Sequence, residues 1–254
     1  PNPAWAEAVA ALMRIGALRA YGALTAHGRT VAALPLPPRL AHMVIEASRT
    51  GEALLGARMA VLLTEQGLGG RSVDMRDRLQ RFASERGQRA EAARKLARRV
   101  AERVGEAGAV EIDRAGPVLA LAYPDRVAKM RGGGFVMANG RAASMEPEEP
   151  LSQSPYAIIA DIAGSAGRAR VLLAAPLTLE DIESQFGQQI TTSASVTIDP
   201  ATGAMRGRRV RALGRLTLSE TPLERISGAE LNEALLNAVR EQGLQLLEWD
   251  EAAV

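Results

Sequence analysis

The 254-residue chain is 47% hydrophobic and 24% charged, an ordinary balance for a folded protein that excludes a wholly disordered chain. It has no cysteine, which removes disulfides and every thiolate metal site, and no run approaches the ~18 apolar residues of a membrane span. The formal charge of +2 is unevenly spread: residues 1–110 carry 17 basic and 10 acidic side chains, residues 111–254 carry 14 and 19, a polarity that points to a positive face.

The start, Pro1-Asn2-Pro3-Ala4-Trp5, has no initiator Met and reads as a cut or processed end without a signal peptide. Residues 4–14 are apolar-rich around Trp5, Val9, Leu12 and Met13, with Gly16 as a stop. Gly22 and its small neighbours make a tight connection to Thr25, which caps a helix over 26–34. Pro35, Pro37 and Pro38 forbid that helix from continuing. A further helix from about Arg39 sets Leu40, Val44 and Ala47 on one side. These three helices fit a winged-helix unit and equally any small helical bundle.

Residues 50–107 are helical in pattern. An apolar segment at 53–63 is interrupted by Gly67, Gly69 and Gly70, and 72–82 offers Val73, Met75, Leu79 and Phe82 inward. In the clearest helix, 89–104, Leu96, Val100 and Val104 form one stripe and Lys95, Arg99 and Arg103 the neighbouring one. Residues 71–103 hold 11 basic and 5 acidic residues. That stripe is either a solvated bundle face or a nucleic-acid-facing one.

After about Gly116 the period changes, and the short apolar run 117–123 opens a β-rich half. Residues 134–140 read as a strand ending in the hairpin dipeptide Asn139-Gly140. Runs at 156–162 and 168–174, separated by Gly164 and Gly167, form a second hairpin. Thr178 with Asp181 resembles a capping box that starts a short helix. Residues 189–199 alternate and turn through 199–203 into the run 204–218, which carries Arg206, Arg208, Arg209, Arg211 and Arg215. Ser227 with Glu230 opens a last helix carrying Leu231, Leu235 and Val239. Five or so short strands with an embedded helix suggest a small oligonucleotide-binding barrel or a sandwich. The acidic stretch 146–150 reads as an exposed loop of that domain.

Catalytic motifs do not emerge. The phosphate loop G-x-x-x-x-G-K-[ST] is excluded, because neither Lys95 nor Lys129 follows a glycine. Gly132-Gly133-Gly134 lacks Rossmann spacing and reads as a turn. His27 and His42 show no paired metal-ligand spacing, the carboxylates Glu148, Glu149, Asp181 and Glu183 serve solvation and capping, and Ser193 and Ser195 lack a nucleophile-elbow frame. What stands out is arginine: the helical stripe Lys95, Arg99 and Arg103; Arg131 and Arg141 bracketing the glycine-rich hairpin; and Arg206, Arg208, Arg209 and Arg211 on a strand. The guanidinium fork suits phosphate, although such arginines also pair with carboxylates. With 3 Phe, 3 Tyr and 2 Trp, backbone contacts rather than base stacking would dominate.

Several segments carry a family resemblance. Leu24-Thr25-Ala26-His27-Gly28-Arg29 and Leu34-Pro35-Leu36-Pro37-Pro38-Arg39-Leu40 resemble the winged-helix stretch after the motor of DEAH-box helicases. Ala122-Tyr123-Pro124-Asp125-Arg126-Val127-Ala128, Ala138-Asn139-Gly140-Arg141, Leu213-Gly214-Arg215-Leu216 and Trp249 narrow this to the bacterial HrpB-type ATP-dependent helicases, over essentially the whole chain. Pro37 departs from the His that relatives often carry there.

The resemblance implies a multidomain α+β architecture: a winged helix at 1–45, a helical ratchet-like bundle at 46–120, an oligonucleotide-binding-like (OB-like) β domain at 121–215 and a family-specific tail at 216–254. It implies a cytoplasmic parent whose upstream RecA-like motor domains use ATP and Mg to move on RNA or DNA, single-stranded. This segment would hold no catalytic, cofactor or metal site of its own, would touch no membrane, and would place Arg131, Arg141 and the bundle arginines near the nucleic-acid channel. A protein-interaction module recruiting a partner to the helicase is the alternative. A stand-alone transcription regulator fares worse, since 26–34 offers only Arg29 as a strong base reader.

Overall fold

The computed structural model describes residues 3–165, 167–198 and 205–223, with positions 228, 232, 236, 239 and 240 beyond them. The expected capping box at Ser227, the helix stripe Leu231 and Leu235, the turn at 199–203 and Trp249 lie outside the described residues. The chain divides into two compact units, Pro1–Gln185 and Phe186–Val254.

The first unit opens with α1 (Pro3–Arg14), α2 (Ala26–Ala32) and α3 (Pro38–Ser48). Thr25 caps α2 as expected, accepting from the Gly28 backbone N–H at 2.8 Å. Pro38 occupies the first turn of α3, where its missing N–H costs nothing. Leu40, Val44 and Ala47 are buried, as their spacing predicts.

Next come α4 (Ala53–Thr64), α5 (Met75–Ser84) and α6 (Gln88–Glu102). α4 is apolar nearly all round and correspondingly central, packing against α3, α6 and α7 (Ala115–Ala122). Leu55 and Met59 are wholly buried in it, each worth about 1.5–3 kcal/mol relative to exposure. α5 is capped by Asp74, whose carboxylate accepts from the Arg76 backbone N–H at 2.8 Å and is gripped by the Arg76 side chain at 2.6 Å. The run 117–122 is helix, not the opening of the β half. Every residue from Ala115 to Ala120 is buried, and a short segment apolar on all sides has no period to distinguish helix from strand.

The barrel follows: β1 (Val127–Arg131), β2 (Gly134–Met137), β3 (Ala142–Ser144), β4 (Tyr156–Ala163) and β5 (Arg170–Leu177) close in the order β1-β2-β3-β5-β4. β3 and β5 meet in parallel and the other pairs are antiparallel. This closed five-stranded, OB-like barrel buries Phe135, Met137, Ile159 and Val171 along its inward positions, with Leu151 of the β3–β4 connection packed in the same core. Both expected hairpins are present, at Asn139-Gly140 and at 164–167, and 146–150 is the loop between β3 and β4. The helix read as embedded in the barrel is α8 (Leu179–Phe186), which follows its last strand. It begins at the expected capping box: Thr178 Oγ1 accepts from the Asp181 N–H at 3.0 Å, and Asp181 accepts from the Thr178 N–H at 3.0 Å.

The second unit contains a three-stranded antiparallel sheet of β6 (Ile190–Ile198), β7 (Met205–Leu213) and β8 (Leu216–Pro222). The run 204–218 is therefore a hairpin rather than one strand. Gly214, at φ 57°, supplies the left-handed backbone that the two-residue turn between Leu213 and Leu216 needs. The expected β domain at 121–215 spans both the barrel and part of this sheet.

Candidate nucleic-acid interface

α6 has two unlike faces. Ala90, Ala93, Ala97, Val100 and Ala101 are buried at helical spacing, and their small side chains allow close approach to α4. Leu96 and Val104, expected inward, are only partly buried, because the alanines make the contact. On the other face Lys95, Arg98, Arg99 and Arg103 are exposed, and among the described residues none of them is held in an ion pair. Beside Arg94 and Arg98, Arg58 of α4 is half-buried and its Nε has no hydrogen-bond partner among the described residues. Burial first, then the neighbouring Arg94 and Arg98, weakens its hold on its proton. Arg94 itself is committed, donating to the Phe82 and Glu85 carbonyls at 2.8 Å each. The α6 surface thus carries more positive than negative charge, with Glu91 and Glu102 as the exposed carboxylates of the same helix.

Arg131 and Arg141 are both exposed but stand at opposite ends of β2. Arg131 ends β1 beside the turn at Gly132-Gly133, and Arg141 follows the turn at Asn139-Gly140.

The arginines of β7 are divided by strand alternation. Position 208 falls on one face of the sheet, 209 and 211 on the other. Arg208 is already engaged with Glu220 at 2.8 Å. Arg209 and Arg215 are exposed and Arg211 is half-buried. The side chain of Arg206 lies outside the described residues. One sheet face therefore cannot present all of them to one phosphate chain.

Sequence reading passed over a cleft of about 860 Å³ in the first unit, where the end of α4 and the glycine-rich loop 67–70 face β4 and β5. Arg71, Arg78 and Arg89 line it together with Tyr123 and Asp161. Arg89 reaches Glu65 at 3.4 Å and the Gln66 carbonyl at 2.6 Å, while Arg78 is partly buried and donates to the Leu172 carbonyl at 3.1 Å. The signal was the glycine cluster running directly into Arg71.

The motif 122–128 turns out to be the joint between bundle and barrel. Asp125 accepts from Arg39 of α3 at 2.9 Å. Arg126 donates to the Ala160 carbonyl at 2.7 Å, and both guanidiniums lie over the Tyr123 ring, at 5.7 and 5.0 Å. Burial pushes the Asp125 carboxyl up, but the Arg39 charge and hydrogen bond together bring it below its ordinary value. Burial raises the Tyr123 hydroxyl, which stays neutral. A second tie is Arg114, held between Glu52 at 2.8 Å and Asp181 at 3.6 Å.

No protein-family model matches the chain. It is 34% identical over 246 residues to the ATP-dependent RNA helicase HrpB of Escherichia coli K12, a match that takes in 95% of this chain and 29% of that protein. Two crystal structures of the E. coli protein, described as a DExH-box NTPase and as a DEAH/RHA helicase, superpose with a TM-score of 0.78 at 30% identity. They cover 99% and 100% of this chain, and 31% of their own length. The chain spans less than a third of these relatives. In sequence and in fold it matches a partial, C-terminal-like region of the HrpB helicase.

Proposed function

We propose that this chain is the nucleic-acid-binding accessory region of an ATP-dependent RNA helicase, and that its main phosphate contacts run along α6 through Lys95, Arg99 and Arg103. The reading rests on one observation above all: these cations are exposed without an ion pair among the described residues. A charged face of that kind gains most from an external polyanion. Arg131 and Arg141 extend the contact on the barrel, and Arg209 and Arg211 are secondary candidates.

In this reading residues 1–45 form a winged helix that braces the motor and 46–120 a ratchet-like bundle. The β domain at 121–215 closes over a single strand, and 216–254 is the family-specific tail. ATP, Mg and the RecA-like motor belong to the remainder of the longer protein, and the setting is cytoplasmic. In support, the matched relative is named an RNA helicase, and no helix among the described residues is long and apolar enough to cross a membrane.

The test is fluorescence polarisation with labelled single-stranded RNA and DNA across ~50–300 mM salt. Reversing Lys95, Arg99 and Arg103 to Glu should abolish most of the salt-dependent binding, while Arg208→Ala should leave it nearly unchanged. No binding at low salt would refute the assignment.

A second reading has its own support. Trp5, Tyr21 and Leu24 are exposed by 69%, 76% and 51%, three large apolar side chains within the first 24 residues. They fit a protein partner, and within a longer helicase the motor domains are the nearest one.

A further inference from the structure

The geometry points to a transition-metal site, of the Zn²⁺ class, formed by His27 of α2 with His42 and Glu46 of α3. His42 and Glu46 are four residues apart on one helix and so share a face. The fold brings His27 against that face: its Nε2 lies 2.8 Å from Nδ1 of His42, and its Nδ1 lies 3.8 Å from Oε1 of Glu46. One donor atom from each residue lies within 4.8 Å of the others. Around a tetrahedral zinc with bonds of ~2.0–2.2 Å, donor atoms stand about 3.3 Å apart. An ion takes only one nitrogen of His27, so the donor set is one nitrogen from each histidine and one carboxylate oxygen, all within 4.8 Å of one another, and the farthest donor must move in by up to about 1.5 Å to close the shell.

Two details favour coordination over a simple hydrogen-bonded pair. The two imidazoles meet edge-on, with planes at 90° and centroids 4.9 Å apart, so that ring nitrogens rather than ring faces converge. Arg49 holds Oε2 of Glu46 at 2.9 Å, which fixes the carboxylate and leaves Oε1 on the histidine side. On binding, the proton now shared between the facing nitrogens moves to an outer ring nitrogen, and solvent completes the shell at this half-buried position.

The metal would act as a staple. α2 has seven residues, far below the length at which a helix is stable in isolation. It is held to α3 by the small cluster of Val31, Leu34, Ala41 and Ile45. A bound ion would add a second clamp beside that cluster.

The chain has two histidines and no cysteine, so an untagged preparation carries little background for imidazole-preferring metals. After treatment with chelator, Co²⁺ should give the intense visible absorption of a tetrahedral site and Zn²⁺ should displace it. Zn²⁺ should also slow amide exchange within 26–32. His27→Asn and Glu46→Gln should each weaken Zn²⁺ binding at least ~10-fold by calorimetry. Glu46→Gln is close to isosteric and guards against loss of fold. A Co²⁺ spectrum that stays octahedral, or Zn²⁺ affinity equal in the unmodified chain and in both ligand variants, would overturn the proposal.

Discussion

Asp125 sits under two opposing influences whose balance depends on one partner. Burial alone raises its carboxyl, and Arg39 at 2.9 Å reverses the sign. A carboxylate held below its unfolded value stabilises the fold above that value and loses this contribution as pH falls through the folded one. Arg39→Gln should therefore move Asp125 from below its ordinary 3.8 to above it, read by carboxyl NMR titration, and stability should fall less steeply with acid than in the unmodified chain, the two converging at low pH. At neutral pH the same change should cost about 1.5–3 kcal/mol in urea denaturation, the worth of a charge-assisted hydrogen bond. An unmoved titration midpoint would show that Arg39 is not the cause. The sequence displayed Asp125 within a recognisable motif but not its purpose, because the partner is 86 residues away. His27 and His42 were hidden in the same way: the i, i+4 spacing of His42 and Glu46 is visible on paper, and the third member arrives only when α2 docks.

Among the elements, α7 shows most clearly what pattern reading misses. Its residues are apolar on every side, so periodicity is silent, and its identity is set by the room left between bundle and barrel. Gly116 marks the tightest point: a Cβ there would lie 1.9 Å from the Pro176 carbonyl oxygen of β5. Backbone on both sides leaves nothing flexible to yield. Gly116→Ala should cost about 3 kcal/mol or more, the upper end of overpacking effects. Gly105→Ala is the control, since its added Cβ meets the Ser48 Cβ at 3.6 Å, an ordinary contact, and stability should stay within about 0.5 kcal/mol. Equal thermal midpoints for the two variants would mean that α7 does not bear on β5 this closely. Elements with explicit punctuation were legible by contrast. Thr25, Thr178 with Asp181, and Asn139-Gly140 each mark a boundary by local hydrogen bonding or backbone preference, with no need of distant partners. Gly214 carried the same kind of mark within the run 204–218, masked by the arginines around it.

At the scale of the whole chain, the division between Pro1–Gln185 and Phe186–Val254 turns the choice of interface into an experiment. The first unit contains the α6 cations, the closed barrel and both ties between bundle and barrel, so a chain ending at Gln189, just before β6, retains a complete core and should unfold in one urea transition. The β7 arginines are removed with the second unit. Each phosphate neutralised on a single strand contributes about −0.7 to the slope of log affinity against log salt, so three contacts from Lys95, Arg99 and Arg103 give about −2. If α6 leads, the shortened chain keeps that slope and loses it only when the three cations are reversed. Should the slope instead collapse on truncation, β7 holds the phosphates. The free cations of α6 would then be a solvated bundle face, and the ion pair of Arg208 with Glu220 would have to open to admit the strand.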